Sequence, residues 1–401
     1  GEGNRKTIKY IQMNINKSFK LKRVRSNSKF FDWRTPPEWK VEEAYIEDYR
    51  GNKICDFKKN NLHLLNYSIP VNKKISFREL KKHIFYLKNK PDAIPYVTSY
   101  YKKNWGFCMS YNKFKKIDKK EKFKVVIKSD HFNGFLDYTE MLIKGQSSKE
   151  ILIVSYICHP SLANNELSGP LLVMALSKIL KKSKYSVRLV LLPETIGAIT
   201  YISKNFKELK DKLIAGFNLS CVGDAGPFTL ISSLDGNTYA DKISRRVLKR
   251  YKRFKELSFL KRGSNERQFG CQNLKLPFVT LCRTRFGDFK EYHTSDDNLS
   301  FINNTNLLKS LDAVVNIIDE IQKNKIFQKS IFCEPFLTKH NLFNNSRETI
   351  NLSNQKILDI CAIADRNYDL VEIAKKIKTS KNRVQALVNI LSKKKILNEF
   401  R

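Results

Sequence analysis

The sequence predicts an α/β protein built on a mainly parallel sheet with helices on both faces. Three observations carry that expectation. Between about Tyr138 and Lys325 short continuous apolar runs alternate with segments of helical period. The runs at 150–157, 187–192, 213–220 and 277–283 read as strands buried on both faces, and 169–182, 198–209, 239–252 and 305–323 read as helices between them. Each polar cluster in this region follows one of the runs, and the crevice beyond the carboxyl ends of parallel strands is where such sheets bind ligands.

Taken in order, the chain divides into four parts. Residues 1–30 carry apolar positions at Ile8, Ile11 and Ile15, a short helix, and then a basic extended stretch from Phe19 to Val24, the N-terminal edge of the core. From 31 to 137 the texture becomes β-rich: Trp33, Trp39, Tyr45, Ile54, Leu62 to Tyr67 and Trp105 to Tyr111 fall in short runs divided by Pro, Gly and Asn. One helix is expected near Phe77–Leu87, and the aromatic residues read as that module's own core. Residues 138–335 form the main α/β core. The last part, 345–401, holds three short amphipathic segments, Ile357–Ala364, Leu370–Ile377 and Val384–Leu391, with Thr379 and Ser380 as a cap before the third. That is the pattern of a helix-turn-helix or winged-helix unit.

Composition bounds the rest. With 401 residues, 41% of them hydrophobic, the chain can bury several cores. Its formal net charge of +36 is spread over nearly every polar face and is heavy in Lys, so it reads as a compositional bias rather than a nucleic-acid footprint. The eight cysteines show no C-x-x-C spacing and several lie in apolar runs, which suits free thiols in a reducing cytoplasm. No apolar run approaches a membrane span.

Four loops offer groups for chemistry. The first holds His159 and Asn165, the second Glu194, the third Asp224, and the fourth the run Glu291 to Asp297 with His293. Any one of these has a bland reading, a hydrogen-bonded histidine or a turn-capping aspartate. Two imidazoles and two carboxylates on successive crevice loops suit catalytic Zn²⁺, which polarises a carbonyl and lowers the pKa of its bound water to about 7.

The order His159, Ala163-Asn-Asn-x-x-Ser-Gly169, Glu194-Thr-Ile-Gly, Gly223-Asp224 and Tyr292-His293-Thr-Ser-x-Asp resembles the zinc aminopeptidase family that includes bacterial leucyl aminopeptidases. More closely, the whole chain resembles a bacterial branch, the aminopeptidase-like-domain proteins. The stretches Phe31-Asp32-Trp33, Pro37-Glu38-Trp39, Asn60-Asn61-Leu62-His63, Ile94-Pro95-Tyr96, Trp105-Gly106-Phe107-Cys108 and Glu266-Arg267-Gln268 carry that likeness. It implies a zinc-aminopeptidase-like (phosphorylase/hydrolase-like) sheet, a nested β-rich domain, a C-terminal winged helix and an association with surface-polysaccharide synthesis. It also implies an element before Gly1, so the chain is expected to start late.

By the same resemblance His159 and Glu194 would hold one zinc, Asp224 and His293 the other, and Asn165 would stand at the bridging aspartate. Glu266, Arg267 and Tyr292 would bind a substrate carboxylate or oxyanion. Two positions depart from the pattern. Pro193 replaces one of two adjacent acids, so Glu194 is left to serve either as ligand or as general base. Asn165 offers a neutral amide, a poor bridge between two dications. The expectation is therefore at most one tightly held zinc, at Asp224 and His293 with help from His159 or water. The leading function is a zinc-dependent aminopeptidase-like hydrolase acting on a small peptide-like or amide-bearing substrate, including a sugar derivative. The alternatives are an impaired hydrolase fold serving as a binding or scaffold protein, and a DNA-binding regulator acting through the winged helix.

Overall fold

A computed structural model describes residues 1–342, 350–365 and 367–400. Its centre is an eight-stranded sheet in the order Lys20–Arg25, Phe135–Ile143, Tyr185–Leu192, Ser147–Tyr156, Leu213–Leu219, Phe278–Cys282, Phe228–Ile231, Phe254–Leu257. The four middle strands, from Tyr185–Leu192 to Phe278–Cys282, run parallel. On one side Phe135–Ile143 and Lys20–Arg25 add antiparallel, and on the other Phe228–Ile231 reverses before Phe254–Leu257 pairs parallel to it. The fold is thus a mixed α/β sheet with a parallel heart.

The side-chain alternation of a strand sorts the core onto two faces. Ile151 and Ile153 join Phe217, Leu219, Leu172, Ile243 and Ile317 on one face, together with Ile8, Ile11 and Phe19 from the N-terminal segment. Leu152 and Val154 join Val190, Leu192, Ala198, Tyr201 and Phe269 on the other. A strand covered on both faces needs apolar residues at every position, which is why Leu213–Leu219 is buried throughout.

The helices Ser168–Ile179, Tyr239–Leu248 and Asn304–Lys323 agree with the sequence pattern. The segment expected as one helix over 198–209 is two, Ile196–Lys204 and Phe206–Lys212, because Asn205 leaves the helical region and turns its amide back onto the Tyr201 carbonyl. The helix expected near Phe77–Leu87 is a single α turn, Phe77–Leu80, begun by the Ser76 cap and ended by a 3₁₀ turn before Ile84–Phe85 extends.

A second sheet of four antiparallel strands, Lys53–Asp56, Glu38–Glu47, Lys122–Phe132 and Val71–Ser76, encloses its own core around Ile46, Leu64, Leu80, Phe107 and Val125. This unit is pinned to the main sheet's fourth loop. Tyr96 N–H donates to the His293 carbonyl at 2.8 Å, Ser295 N–H to the Ile94 carbonyl at 2.8 Å, and Ile94 N–H to Ser295 Oγ at 2.9 Å.

At the C-terminal end the helices Ile350–Ile363, Leu370–Lys376 and Lys381–Lys393 pack around Ile360, Ile373, Val384 and Leu391. Ser380 caps the last by accepting from Arg383 N–H. The strand Leu397–Glu399 pairs antiparallel with Phe327–Lys329. The expected start of this unit at 345–349 lies outside the described residues. No helix among the described residues is long and apolar enough to cross a membrane, and each of the eight cysteines is a free thiol.

Candidate functional site

The loops that follow the parallel strands meet at one end of the sheet, and hydrogen bonds from buried side chains hold them there. Asp297 accepts from the N–H groups of Asn164 at 2.6 Å and Asn165 at 2.9 Å, which ties the fourth loop to the first. Asn164 donates to Asp224 at 2.8 Å and accepts from Gly223 N–H at 2.8 Å, which ties the first loop to the third. Each of the four loops also holds one non-glycine residue at positive φ: Ser161 at 56°, Thr195 at 60°, Cys221 at 52° and His293 at 53°. Such backbone is tolerated where its surroundings fix it, and it gathers at functional sites.

His159 stands at the centre. Its Nδ1 lies 2.9 Å from Glu166 Oε2 and 3.3 Å from Cys158 Sγ, and its Nε2 lies 3.7 Å from Glu194 Oε2. Glu166 is turned back onto His159 by the π-helical turn Ala163–Leu167, and its other oxygen accepts from Cys158 N–H. Burial pulls the imidazole's pKa down, but the Cys158 sulfur and the Glu166 carboxylate outweigh it and hold His159 well above the ordinary histidine range. Burial also raises Glu166 and Cys158. Glu194 is fixed through Oε1, which accepts from Ser264 Oγ at 2.6 Å. Tyr96 packs edge-on against both imidazoles, 5.1 Å from the His159 ring and 5.0 Å from the His293 ring.

A cavity of about 1140 Å³ opens on this cluster, and Cys158, His159, Glu166 and Glu194 line it together with Tyr67, Tyr96 and Tyr100. Those three tyrosines come from the small-sheet unit, whose aromatic residues the sequence suggested were all core. Trp105 and Phe107 are core, but this trio faces the cavity.

The remaining residues singled out from the sequence have other surroundings. The His293 ring is 5.4 Å from that of His159 and stacks on Tyr292 at 3.9 Å. Burial and the nearby His159 charge lower the His293 pKa to about 3. Burial raises the Tyr292 hydroxyl. Asn165 donates to Tyr156 Oη at 3.2 Å. Asp224 accepts from Thr284 Oγ1 at 2.7 Å, Gly226 N–H at 2.6 Å and Asn164, so its carboxylate is already occupied. Fully buried Glu266 accepts from Thr280 Oγ1 at 2.7 Å and from the N–H groups of Gly263 and Ser264, and serves to hold its own loop. Arg267 donates to Thr195 Oγ1 at 2.5 Å, bracing the residue after Glu194. Cys158, Glu166 and Ser264 were not foreseen. The available signal was a Cys-His pair followed seven positions later by an acid.

A bridged pair of zinc ions does not fit these residues. Asn165 Oδ1 and His293 Nε2 are buried without a hydrogen-bond partner, and a neutral imidazole can ligate zinc, but Asn165 offers no bridging carboxylate and Asp224, the acid that would complete a second position, is taken up by Thr284, Gly226 and Asn164. Among the described residues, the set of three His, Cys, Asp or Glu groups whose ligand atoms all lie within 4.8 Å is Cys158, His159 and Glu166. That donor set suits one zinc.

The fold and the crevice define an aminopeptidase-like protein. A zinc aminopeptidase from Bacillus subtilis superposes with a TM-score of 0.55 over 79% of this chain and 88% of that one, at 13% identity. A peptidase M28 precursor from Shewanella amazonensis gives 0.54 over 80% and 88%, also at 13%. At that identity the likeness speaks for the fold alone. A crystal structure of a proposed peptidase from Clostridium acetobutylicum is nearer, with a TM-score of 0.79, 36% identity and coverage of 100% of this chain and 92% of that one. A protein of the same organism, named for a proposed role in polysaccharide biosynthesis and for its aminopeptidase-like domain, is 39% identical over 347 residues, 86% of this chain and 79% of its own length. Residues 1–324 match the model of a domain of unknown function, DUF4910, and residues 325–399 match a winged helix-turn-helix. The chain belongs to this family of aminopeptidase-like-domain proteins with a C-terminal winged helix.

Proposed function

We propose that this chain is a one-zinc hydrolase of an amide or peptide-type bond. The observation that supports it best is His159 and Glu194 facing each other, 3.7 Å apart, in the wall of a large cavity at the carboxyl edge of parallel strands. Zinc, when bound, would polarise the carbonyl and bring its water's pKa to about 7. The protein's own groups do the rest. Glu194, anchored through one oxygen by Ser264, presents the other in the cavity wall, 3.7 Å from His159 Nε2, to take the proton from the attacking water and return it to the leaving amine. The three cavity tyrosines, joined by Trp39, which stacks on Tyr67 at 5.6 Å, give flat faces for an apolar side chain or a sugar ring. The relative named for polysaccharide biosynthesis supports an amide on a sugar derivative as substrate.

Purified protein, stripped with a chelator and then given zinc, should recover hydrolysis of aminoacyl amides or N-acyl sugars. Glu194→Gln should lower kcat by about 10²–10⁴-fold with the fold retained by circular dichroism. Zinc-loaded wild-type protein inactive on both substrate classes, or Glu194→Gln as active as wild type, sinks the proposal.

The second reading is a binding or scaffold protein built on the same fold. The amide at Asn165 and the occupied carboxylate of Asp224 favour it.

A further inference from the structure

We infer that Cys158, His159 and Glu166 together form the metal site of this chain, with the Cys158 thiolate, His159 Nδ1 and a Glu166 carboxylate oxygen as ligands to one Zn²⁺. The inference rests on the one-zinc reading above and supplies the ligands that reading leaves open.

Two of the three ligand spacings are close to those of a filled site, and all three ligand atoms lie within 4.8 Å of one another. Tetrahedral zinc with Zn–S of about 2.3 Å and Zn–N of about 2.0–2.1 Å sets neighbouring ligand atoms roughly 3.3–3.6 Å apart. Here Sγ and Nδ1 are 3.3 Å apart and Nδ1 and Oε2 are 2.9 Å apart, so small side-chain adjustments separate the hydrogen-bonded cluster from a coordinated one. All three residues line the cavity, which leaves a fourth position for water or substrate.

Charge and support agree with this. A thiolate and a carboxylate supply two negative charges to a dication, whereas Asn165 and His293 supply none. Sulfur makes the set soft, favouring zinc or cobalt over magnesium. Outer contacts hold the ligands: Glu166 Oε1 accepts from Cys158 N–H, and Cys158 Sγ accepts from Glu194 N–H at 3.2 Å. Binding removes one proton from the thiol and one from the imidazole–carboxylate pair, and both pass to solvent. Glu194 is not called on as a ligand, so it keeps the proton-accepting role that Pro193 would otherwise put in question. Position 165 is an amide, and the acid one residue later, Glu166, lies 2.9 Å from His159 Nδ1.

Cobalt tests this directly. The full chain, stripped and reloaded with Co²⁺, should hold one ion per chain by mass spectrometry and show a near-ultraviolet sulfur-to-cobalt charge-transfer band. Cys158→Ser should lose the band and weaken binding by more than about a hundredfold, beyond the roughly 10–100-fold that loss of an outer-shell partner alone costs. Glu166→Gln should weaken binding by a similar factor yet keep the band. Cobalt bound without the band, or held equally well by Cys158→Ser, overturns this ligand set and leaves the hydrolase reading standing. A band with no hydrolysis of any amide supports the site and overturns that reading. No cobalt bound overturns both.

Discussion

Asn165 and Glu166 differ by one methylene and one charge, and their order decides what His159 can do. The amide's weakness as a bridge was legible in the sequence because it depends only on residue type. Glu166 was not, because its hold on His159 depends on the turn at Ala163–Leu167 folding the chain back. The surroundings of Asp224 and Glu266 were hidden for a related reason. The hydroxyls that engage them, on Thr284 and Thr280, come from parts of the chain that periodicity does not connect to them. Restoring charge is a test: Asn165→Asp alone should leave metal content near one ion per chain, because Asp224 stays hydrogen-bonded to Thr284 and Gly226, and Asn165→Asp with Thr284→Ala should raise it toward two, measured by mass spectrometry after loading with excess zinc. His293 gives a second. Its folded pKa of about 3 lies below the unfolded value of about 6.5, so its contribution to stability is present above that value and is lost as pH falls toward 3. The urea midpoint should drop over that window, and His293→Gln should flatten the drop.

At the scale of elements, buried parallel strands were the most legible because burial on both faces leaves an uninterrupted apolar run, as in Leu213–Leu219. The four-residue strands Phe228–Ile231 and Phe254–Leu257 were missed; a segment that short carries too few alternations to register, and pairing with its neighbours is what makes it a strand. Contact at helix starts is equally hard to read. Gly169 sits where the helix Ser168–Ile179 meets the sheet, and a Cβ there would lie 2.3 Å from Ser155 Oγ and 2.4 Å from the Leu219 carbonyl oxygen. Ser155 Oγ already donates to that carbonyl at 2.8 Å, so neither atom can yield freely. Gly169→Ala should cost about 1–3 kcal/mol in urea unfolding.

Across the whole molecule, the winged helix is bolted to the core. Arg246 reaches from the helix Tyr239–Leu248 to both oxygens of buried Asp369, at 2.9 and 3.0 Å, and to Glu372 at 2.9 Å, while Tyr239 Oη also donates to Asp369 at 3.3 Å. Arg246→Ala would leave buried Asp369 without its counter-ion while Tyr239 and the N–H groups of Val371 and Glu372 still donate to it, so the loss should fall at or below the about 3–5 kcal/mol typical of breaking a buried pair. The loss should appear as a lower urea midpoint, with earlier proteolysis after Lys325. Such an anchor also fixes the presentation of the exposed Lys381 and Arg383, so a regulator reading requires nucleic acid to approach core and winged helix as one surface.

Phe400 packs in the same apolar cluster as Ile8 and Ile11, and its N–H donates to the Ile326 carbonyl at 2.9 Å. Residues from both ends of the described chain therefore complete one core. A ribosome makes the chain from its amino end, so the cluster around Ile8 and Ile11 lacks one of its covering side chains until Phe400 has left the exit tunnel. Until then part of that apolar surface stays open, and yield in a cell should fall when holdase chaperones are depleted.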